Sequence, residues 1–210
     1  MGLRKRVSDG LYQVGPARYY QPTYRRIAEA FGRSDGLVVD LGCGPGWVAI
    51  RMAERDPGVE VLGIDHSPDM VAAGRRNGGH IENLRFLEVD GAQTTIETDT
   101  VDLVIAVQTA HHWTRKGAIL AEIARILKSS GRLVLLEADR HAETVPSGWI
   151  ERSRGVWPPD TVVKSGWRRF GMDDQEWRSL ADQIEAEGMV IVRDEPFGFY
   201  RCVEARNEHG

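Results

Sequence analysis

The chain of 210 residues contains only two cysteines, Cys43 and Cys202, and no long apolar run. Two isolated cysteines build neither a disulfide framework nor a cysteine metal site. No apolar stretch approaches the ~20 residues that a membrane-spanning helix needs. The basic start of the chain also lacks the apolar segment of a signal peptide. We therefore expect a cytoplasmic protein that has no membrane partner.

The chain also lacks an excess of positive charge. Its 27 Lys and Arg residues against 31 Asp and Glu residues give a net charge of −4 at pH 7, whereas nucleic-acid-binding proteins usually carry a basic stripe. Arginines between residues 140 and 169 form the one candidate patch, but acidic residues are mixed among them. Nucleic acid is therefore not an expected partner. The composition, with 41% hydrophobic residues, is that of an ordinary globular domain.

The most informative segment is 38–46, which reads Val-Val-Asp-Leu-Gly-Cys-Gly-Pro-Gly. It predicts an apolar strand, a glycine-rich turn and then a helix. A second apolar strand ends at Asp65, 19 residues after Gly46. Glycines let the backbone approach a ligand closely, and a carboxylate at the tip of the next strand can bind ribose hydroxyls. The pairing predicts a nucleoside-binding crevice at the mouth of a parallel sheet.

Strands and helices are predicted to alternate, which is typical of an α/β fold with a parallel sheet covered on both faces. The predicted strands lie at about 37–41, 59–65, 84–89, 101–107 and 132–137, and the predicted helices near 22–32, 46–55, 68–77, 115–127 and 173–187. A terminal hairpin is predicted from strands 189–193 and 198–204. We place its turn at Glu195-Pro196-Phe197.

The order Asp40-x-Gly42-x-Gly44-x-Gly46 resembles motif I of the class I S-adenosylmethionine-dependent methyltransferases. The resemblance continues in sequence order over the segments 61–70, 87–92, 101–108 and 127–136, and covers residues 36–137. It implies a Rossmann-like, doubly wound, mostly parallel seven-stranded sheet with an antiparallel last strand. It also implies S-adenosyl-L-methionine as the cofactor.

The whole chain is expected to form one methyltransferase domain. Within it we expect an N-terminal helical cap, a cofactor-binding core, an inserted aromatic-rich lid, and a last helix with the hairpin. These parts are assigned to residues 1–32, 36–137, 138–172 and 173–210, respectively.

The resemblance implies a role for each acid of the crevice. Asp65 matches the residue for the ribose hydroxyls, Asp90 the residue that faces the adenine amino group, and Asp40 the residue that positions the methionine ammonium. Asp65 could instead cap the helix that follows it, and Asp90 could be a surface turn acid. The other predicted cofactor contacts are Gly42, Cys43, Gly44, Gly46, His66, Gly91, Ala92 and Gln108.

Two of these contacts have a second interpretation. Cys43 is expected to be a small side chain tucked under the loop rather than a nucleophile. His66 could stack beside the adenine or be exposed to solvent.

His111 and His112 follow the fourth strand, where the acceptor should meet the methyl group. Methyl transfer from a sulfonium depends mainly on in-line orientation, and a base assists where the acceptor carries a proton. Adjacent residues of an extended chain point in opposite directions, so one histidine should face the site. We assign His111 as the candidate catalytic base, because its position resembles a catalytic histidine of some small-molecule methyltransferases, and His112 as a substrate contact. The alternative is that the pair only braces the loop or touches the cofactor.

Aromatic residues outside the core are the candidate acceptor pocket. Four of the six tryptophans lie between residues 149 and 177. An aromatic-lined lid would suit a small, planar or apolar acceptor; the alternative is that these rings pack the cap and the lid onto the sheet. The assigned substrate contacts are Tyr12, Tyr19, Tyr20, Trp149 and Trp157, besides His112.

The segment after the fourth strand also narrows the acceptor. Gln108-Thr-Ala-His-His stands where enzymes that methylate amino groups of nucleic-acid bases usually carry Asn/Asp-Pro-Pro-Tyr/Phe, and there is no Pro-Cys element. The sequence of this segment resembles that of small-molecule enzymes near the ubiquinone and menaquinone C-methyltransferases. We expect methyl transfer to a small molecule, with a methyltransferase of tRNA or protein and a cofactor-binding protein without turnover as alternatives. A homodimer is compatible with the sequence, and no metal is expected, since adjacent histidines rarely chelate one ion.

Overall fold

The computed structural model describes residues 19–33, 35–142, 146–150, 165, 168 and 171–207. Tyr12 and Trp157 of the predicted acceptor pocket lie outside these residues. The helices are α1 Gln21–Phe31, α2 Trp47–Arg55, α3 Pro68–Gly78, α4 Lys116–Ile126 and α5 Asp174–Ala186. The strands are β1 Gly36–Leu41, β2 Val59–Asp65, β3 Leu84–Glu88, β4 Val101–Val107, β5 Leu127–Ala138, β6 Met189–Phe197 and β7 Tyr200–Asn207.

The strands form one seven-stranded sheet in the order β3-β2-β1-β4-β5-β7-β6. Strands β1 to β5 pair in parallel, whereas β7 is antiparallel to both β5 and β6. The predicted fold class, including the antiparallel last strand, is confirmed. The strand order reverses between β1 and β4, and open α/β sheets bind ligands at the carboxyl ends of the strands on either side of such a reversal.

Local sequence explains where two helices begin. Asp173 accepts hydrogen bonds from the backbone amides of Gln175 and Glu176, and the Glu176 side chain bonds back to Asp173, which forms a capping box at the start of α5. Helix α3 starts with Pro68, whose fixed φ suits the first helical turn. These signals lie within a few residues of each helix start, which is why the sequence placed both starts to within one residue.

The predicted hairpin turn is wrong by two residues. Glu195, Pro196 and Phe197 belong to β6, and the turn is formed by Gly198 and Phe199. Gly198 has φ +67° and lies against Trp149 so closely that a Cβ atom would come within 2.5 Å of the indole. Glycine meets both requirements, and β6 is an edge strand, where proline is tolerated.

Each face of the sheet carries its own apolar core. Helices α1, α2 and α3 contribute to the core on one face, whereas α4 and α5 contribute to the core on the other. Strand β4 lies at the centre and six of its seven residues are buried, as expected for a parallel strand covered on both sides. Both faces of the sheet are therefore covered by helices beside the strands that flank the crevice.

Three glycines surround the ring of Phe86, and they lead to a prediction on stability. A Cβ atom at Gly74 of α3 would lie 2.7 Å from this buried ring, and one at Gly63 or Gly46 would lie equally close or closer. Gly74→Ala should gain about 1 kcal/mol from helix propensity. The clash should cost more, because overpacking a core costs about 1–3 kcal/mol. We expect net destabilisation in urea unfolding, relieved when Phe86→Leu is added; additive effects of the two changes would contradict the contact.

Candidate functional site

The glycine loop between β1 and α2 is tied to the end of β2. Gly42, Gly44 and Gly46 have φ values of +71°, +52° and +84°, a region that side chains strongly disfavour. The amides of Gly42 and Cys43 both donate to the Ile64 carbonyl, at 2.8 and 3.0 Å, and the Gly46 amide donates to the Cys43 carbonyl at 2.9 Å. The loop conformation is thus fixed by the protein itself.

The loop amides are consequently not arranged to bind a phosphate. The fourth one, Gly44 N–H, donates to Oδ2 of Asp65 at 2.9 Å. Phosphate-binding loops instead turn several unpaired amides toward the anion. Around Gly44 there is open space, since a Cβ atom there would meet no atom within 4 Å. The loop therefore suits a nucleoside that carries no phosphate.

Asp65 ends β2 and braces the crevice. Besides the Gly44 amide, its carboxylate accepts the Ser67 amide through Oδ1 at 2.8 Å, so it also steadies the entrance to α3. A carboxylate oxygen can accept two hydrogen bonds, and each oxygen here keeps one site for a ribose hydroxyl. The side chain is 10% exposed, and its role toward a ribose stays a prediction. His66 beside it is 75% exposed, with Nδ1 3.6 Å from Oδ1 of Asp65.

Asp40 is the buried acid of the crevice. It lies in β1, is 2% exposed, and accepts a hydrogen bond from the Ala49 amide at 3.0 Å. Burial, with a smaller contribution from the charge of Asp65, raises the pKa of this carboxyl from 3.8 to about 7, against the lowering effect of the Ala49 amide. Near neutral pH both protonation states of the side chain are therefore populated, and a cationic ligand group would favour its ionised form.

Cys43 lies inside the loop, and its thiol is unreactive. The side chain is buried, and burial raises the pKa of its thiol well above the usual value, with Asp40 and Asp65 adding to the shift. The thiol is therefore not a nucleophile near neutral pH. Its position under the loop agrees with the expected packing role.

Asp90 lies in the loop after β3, at the predicted adenine end. Its side chain is 55% exposed; Oδ1 accepts the Ala92 amide at 2.9 Å and Oδ2 accepts a hydrogen bond from Arg115. The Ala92 amide and then Arg115 lower the pKa of this carboxyl. Gly91, which lies between Asp90 and Ala92 in the chain, packs against Leu41 at the end of β1. Sequence reasoning missed Arg115, which lies 25 residues away in the chain.

Gln108 and Thr109 connect β4 to the crevice. Gln108 has φ +52°, unusual for a residue other than glycine, and its amide donates to the Leu136 carbonyl at 2.8 Å. Strained backbone of this kind concentrates at functional sites. The Thr109 side chain fills the space where a Cβ atom of Gly42 would lie. The loops after β1 and β4 are therefore in contact across the strand reversal.

His111 belongs to a single 3-10 turn, Ala110–His112, and not to an extended segment. The expectation that the two histidines point in opposite directions is wrong, because the turn brings their rings together, with centroids 3.9 Å apart. Nδ1 of His111 lies 2.7 Å from Oε2 of Glu137, and Oε1 accepts the Ala110 amide at 2.5 Å. The imidazole is therefore held in one orientation and is 19% exposed.

Glu137 is the functional residue that sequence reasoning missed. It is fully buried near the end of β5, between apolar neighbours. A buried carboxylate is rare unless it is paired, so a glutamate inside this apolar strand was the available signal. Its pairing with His111 joins the loop after β4 to the end of β5.

The aromatic residues that the structure describes pack the cap onto the hairpin tip. Trp149 lies 5.0 Å from Phe197 and 5.7 Å from Phe199 between ring centroids, and its carbonyl accepts a hydrogen bond from Thr23 of α1. Tyr20 lies 5.9 Å from Phe199. The packing interpretation therefore accounts for Trp149 and Tyr20, and Tyr19 packs partly buried on the same face. A substrate contact by any of them stays a prediction.

The described residues contain no group of three or more histidine, cysteine, aspartate or glutamate side chains that could hold a metal ion. Among them, no helix has the length and apolar character needed to cross a membrane.

The fold and this crevice define a Rossmann-like, nucleoside-binding α/β domain. Residues 38–131 match the family model of the methyltransferase domain. The structure also matches the crystal structure of a SAM-dependent methyltransferase from Aquifex aeolicus, with a TM-score of 0.65 and 19% identity over 96% of this chain and 95% of the other. Residues 38–131 thus match a methyltransferase domain, and the fold is that of the class I S-adenosylmethionine-dependent methyltransferases, whose cofactor is S-adenosyl-L-methionine.

Two sequence relatives are similar to part of the chain. Demethylmenaquinone methyltransferase of Thermus thermophilus is 32% identical over 114 residues, which cover 54% of this chain and 52% of that protein. Nocamycin O-methyltransferase of Saccharothrix syringae is 31% identical over 131 residues, which cover 60% of this chain and 46% of that protein. The chain spans about half the length of the curated relatives it matches.

Proposed function

We propose that the chain transfers the methyl group of S-adenosylmethionine to a small-molecule acceptor by direct displacement, releasing S-adenosylhomocysteine. The proposal rests on one observation: two groups of residues lie at the same edge of the sheet. One is the crevice formed by Asp40, the glycine loop and Asp65. The other is the pair of His111 and buried Glu137.

The residues of the crevice suit this cofactor. Asp65 has acceptor sites left for a ribose diol, Asp40 is a buried acid for an ammonium, and the loop offers no unpaired amides to a phosphate. When bound, the cofactor supplies an electrophilic methyl group on a sulfonium whose electron pair stays with sulfur after transfer. Asp90 and Arg115 lie where the adenine end is expected.

His111 acts as the base in the proposed reaction. Glu137 accepts a hydrogen bond from Nδ1–H, so the second nitrogen, Nε2, keeps its lone pair and can take a proton from the acceptor. Loss of that proton strengthens the nucleophile as its bond to the methyl carbon forms. Glu137 is a positioning residue, because it orients the ring and stabilises the imidazolium that results.

A small-molecule acceptor is favoured by charge and by the relatives. The net charge of −4 disfavours a polyanion such as tRNA, and two relatives carry the names of methyltransferases acting on demethylmenaquinone and nocamycin. The acceptor atom and compound stay open. The cytoplasmic location, the homodimer and the boundaries of the cap and the lid stay predictions.

Calorimetric titration with S-adenosylmethionine and S-adenosylhomocysteine tests the cofactor site. Asp65→Ala removes two hydrogen bonds to a ribose, each worth about 1–1.5 kcal/mol, and also loosens the loop at Gly44. We expect the Kd to rise about 100-fold. Asp182→Ala on the exposed surface of α5 is the matched control and should leave the Kd unchanged.

Transfer of radiolabelled methyl groups to fractionated cell extract then separates the candidate activities. Label in the small-molecule fraction supports the proposal. Label that is retained in RNA or protein would instead identify a macromolecular methyltransferase. Tight cofactor binding without label in any fraction would point to a binding protein without turnover. Absence of binding by folded wild-type protein would overturn the proposed function itself.

A further inference from the structure

One buried polar group beside the glycine loop has no partner. Trp47 is the first residue of α2 and directly follows Gly46. Its indole Nε1–H is buried, and no residue in the described part of the chain accepts a hydrogen bond from it. Buried donors are nearly always paired, so an unpaired one requires an explanation.

The position of Trp47 relates it to the crevice. Helix α2 begins at the carboxyl end of β1, which is the edge where the glycine loop lies. Side chains of a helix lean toward its N-terminus, so the side chain of a first-turn residue covers the region beside the preceding loop. Trp47 is partly buried against the core on the α1 side. The start of α2 also has no side-chain cap.

Most other donors near this end of the crevice are committed to the protein. The amides of the loop donate to Ile64, Cys43 and Asp65. The two terminal nitrogens of Arg51, one turn along α2, donate to Glu54 at 2.5 Å and to Gln21 at 2.7 Å, whereas its Nε is buried and has no acceptor in the described part of the chain. Of these two unpaired side-chain donors, the indole N–H of Trp47 is the one that directly follows the glycine loop, and it can serve an anionic ligand group at this end.

We propose that the indole N–H of Trp47 donates a hydrogen bond to the α-carboxylate of S-adenosylmethionine and so selects ligands that carry the amino-acid end. The inference rests on the proposed function, since it assumes that the crevice holds this cofactor. The two charged groups of that end would be bound separately. Asp40 on β1 would face the ammonium, and Trp47 on α2 would face the carboxylate.

Trp47→Phe tests the proposal because it keeps an aromatic ring and removes the donor. Calorimetry compares S-adenosylhomocysteine, which has the amino-acid end, with 5′-methylthioadenosine, which lacks it. We expect the Kd for S-adenosylhomocysteine to rise about tenfold or more, as for a lost hydrogen bond to a charged group. The Kd for 5′-methylthioadenosine should change less than about twofold.

Trp177→Phe is the matched control. Trp177 is also buried, and its indole N–H has no acceptor within the described ranges, but it lies in α5 on the other face of the sheet. The control should leave both Kd values unchanged, and thermal melting should report a folded protein for each variant.

The outcomes separate this inference from the proposed function. An equal weakening of both ligands by Trp47→Phe would mean that the ring shapes the pocket, and the inference would fail. An unchanged Kd for S-adenosylhomocysteine would overturn it as well, while tight binding by wild type left the proposed function intact. If wild-type protein bound neither ligand, the proposed function would fail and this inference with it.

Discussion

His111→Asn is expected to lower kcat for methyl transfer by about 10²–10⁴-fold, which is the usual contribution of a positioned general base. The Kd for S-adenosylmethionine should change less than about twofold, because the proposed acceptor side of the site is the turn after β4, where His111 lies. The reason is the pair formed by Nδ1 of His111 and buried Glu137 at 2.7 Å, which leaves Nε2 as the proton acceptor. The measurement is single-turnover transfer of radiolabel to the acceptor fraction, beside calorimetry.

Glu137→Gln should reproduce part of this loss. The amide keeps a hydrogen bond to the ring but no longer carries the charge that stabilises the imidazolium. The expected signature is a lower kcat and an altered pH profile, with the Kd for the cofactor unchanged. His80→Asn in the exposed turn after α3 is the control for loss of a histidine elsewhere. An unaltered kcat in His111→Asn would show that the pair only braces the loop.

Binding of S-adenosylmethionine is expected to weaken as pH falls from 7 to 5, by up to about tenfold per pH unit. Asp40 has its pKa raised to about 7 by burial, so it is protonated below that pH and no longer attracts the ammonium of the ligand. In this range the amino group of the ligand stays charged, since α-amino groups titrate near 7.7–8.0. Calorimetry in two buffers of different ionisation enthalpy should detect a released proton.

Asp40→Asn should remove both the pH dependence of binding and the release of a proton. Binding should be weaker above pH 7 and nearly independent of pH, and no proton should be released. A pH dependence equal to that of wild type would assign the effect to a group other than Asp40.

The same carboxyl should govern part of the stability of the free protein. Because the folded pKa of about 7 exceeds the ordinary 3.8, the folded state holds a proton that the unfolded state has lost between these values. Stability should therefore fall as pH rises from 4 to 7. The shift corresponds to roughly 4 kcal/mol at about 1.4 kcal/mol per pKa unit. In urea unfolding, Asp40→Asn should gain stability over wild type at pH 8 and little at pH 4.

Several parts of the site could be predicted from sequence because they depend on local order. Asp65 follows an apolar strand and precedes Pro68, so its place at a strand tip was fixed by neighbours in the chain. The left-handed conformations at Gly42, Gly44 and Gly46 likewise follow from a residue type that tolerates them. The fold class followed from the alternation of strands and helices.

Other parts depend on contacts between residues far apart in the chain. Glu137 reaches His111 across 26 residues, and Arg115 reaches Asp90 across 25. No periodic pattern encodes such pairs, because each side chain is positioned by its own strand or helix. The contact between the rings of the two histidines was not predicted either, because these residues form a 3-10 turn and not the extended segment expected there.

By itself, the sequence determined the family, the sheet and the acids at the strand ends, because local patterning and strand order decide where each strand stops. Only the tertiary structure decided which groups are paired and which are left without a partner. It committed loop amides to Ile64 and Asp65, gave His111 its buried carboxylate, and left the indole of Trp47 without an acceptor among the residues that the structure describes. Burial and hydrogen bonding depend on three-dimensional neighbours, and these groups set the chemistry of the crevice.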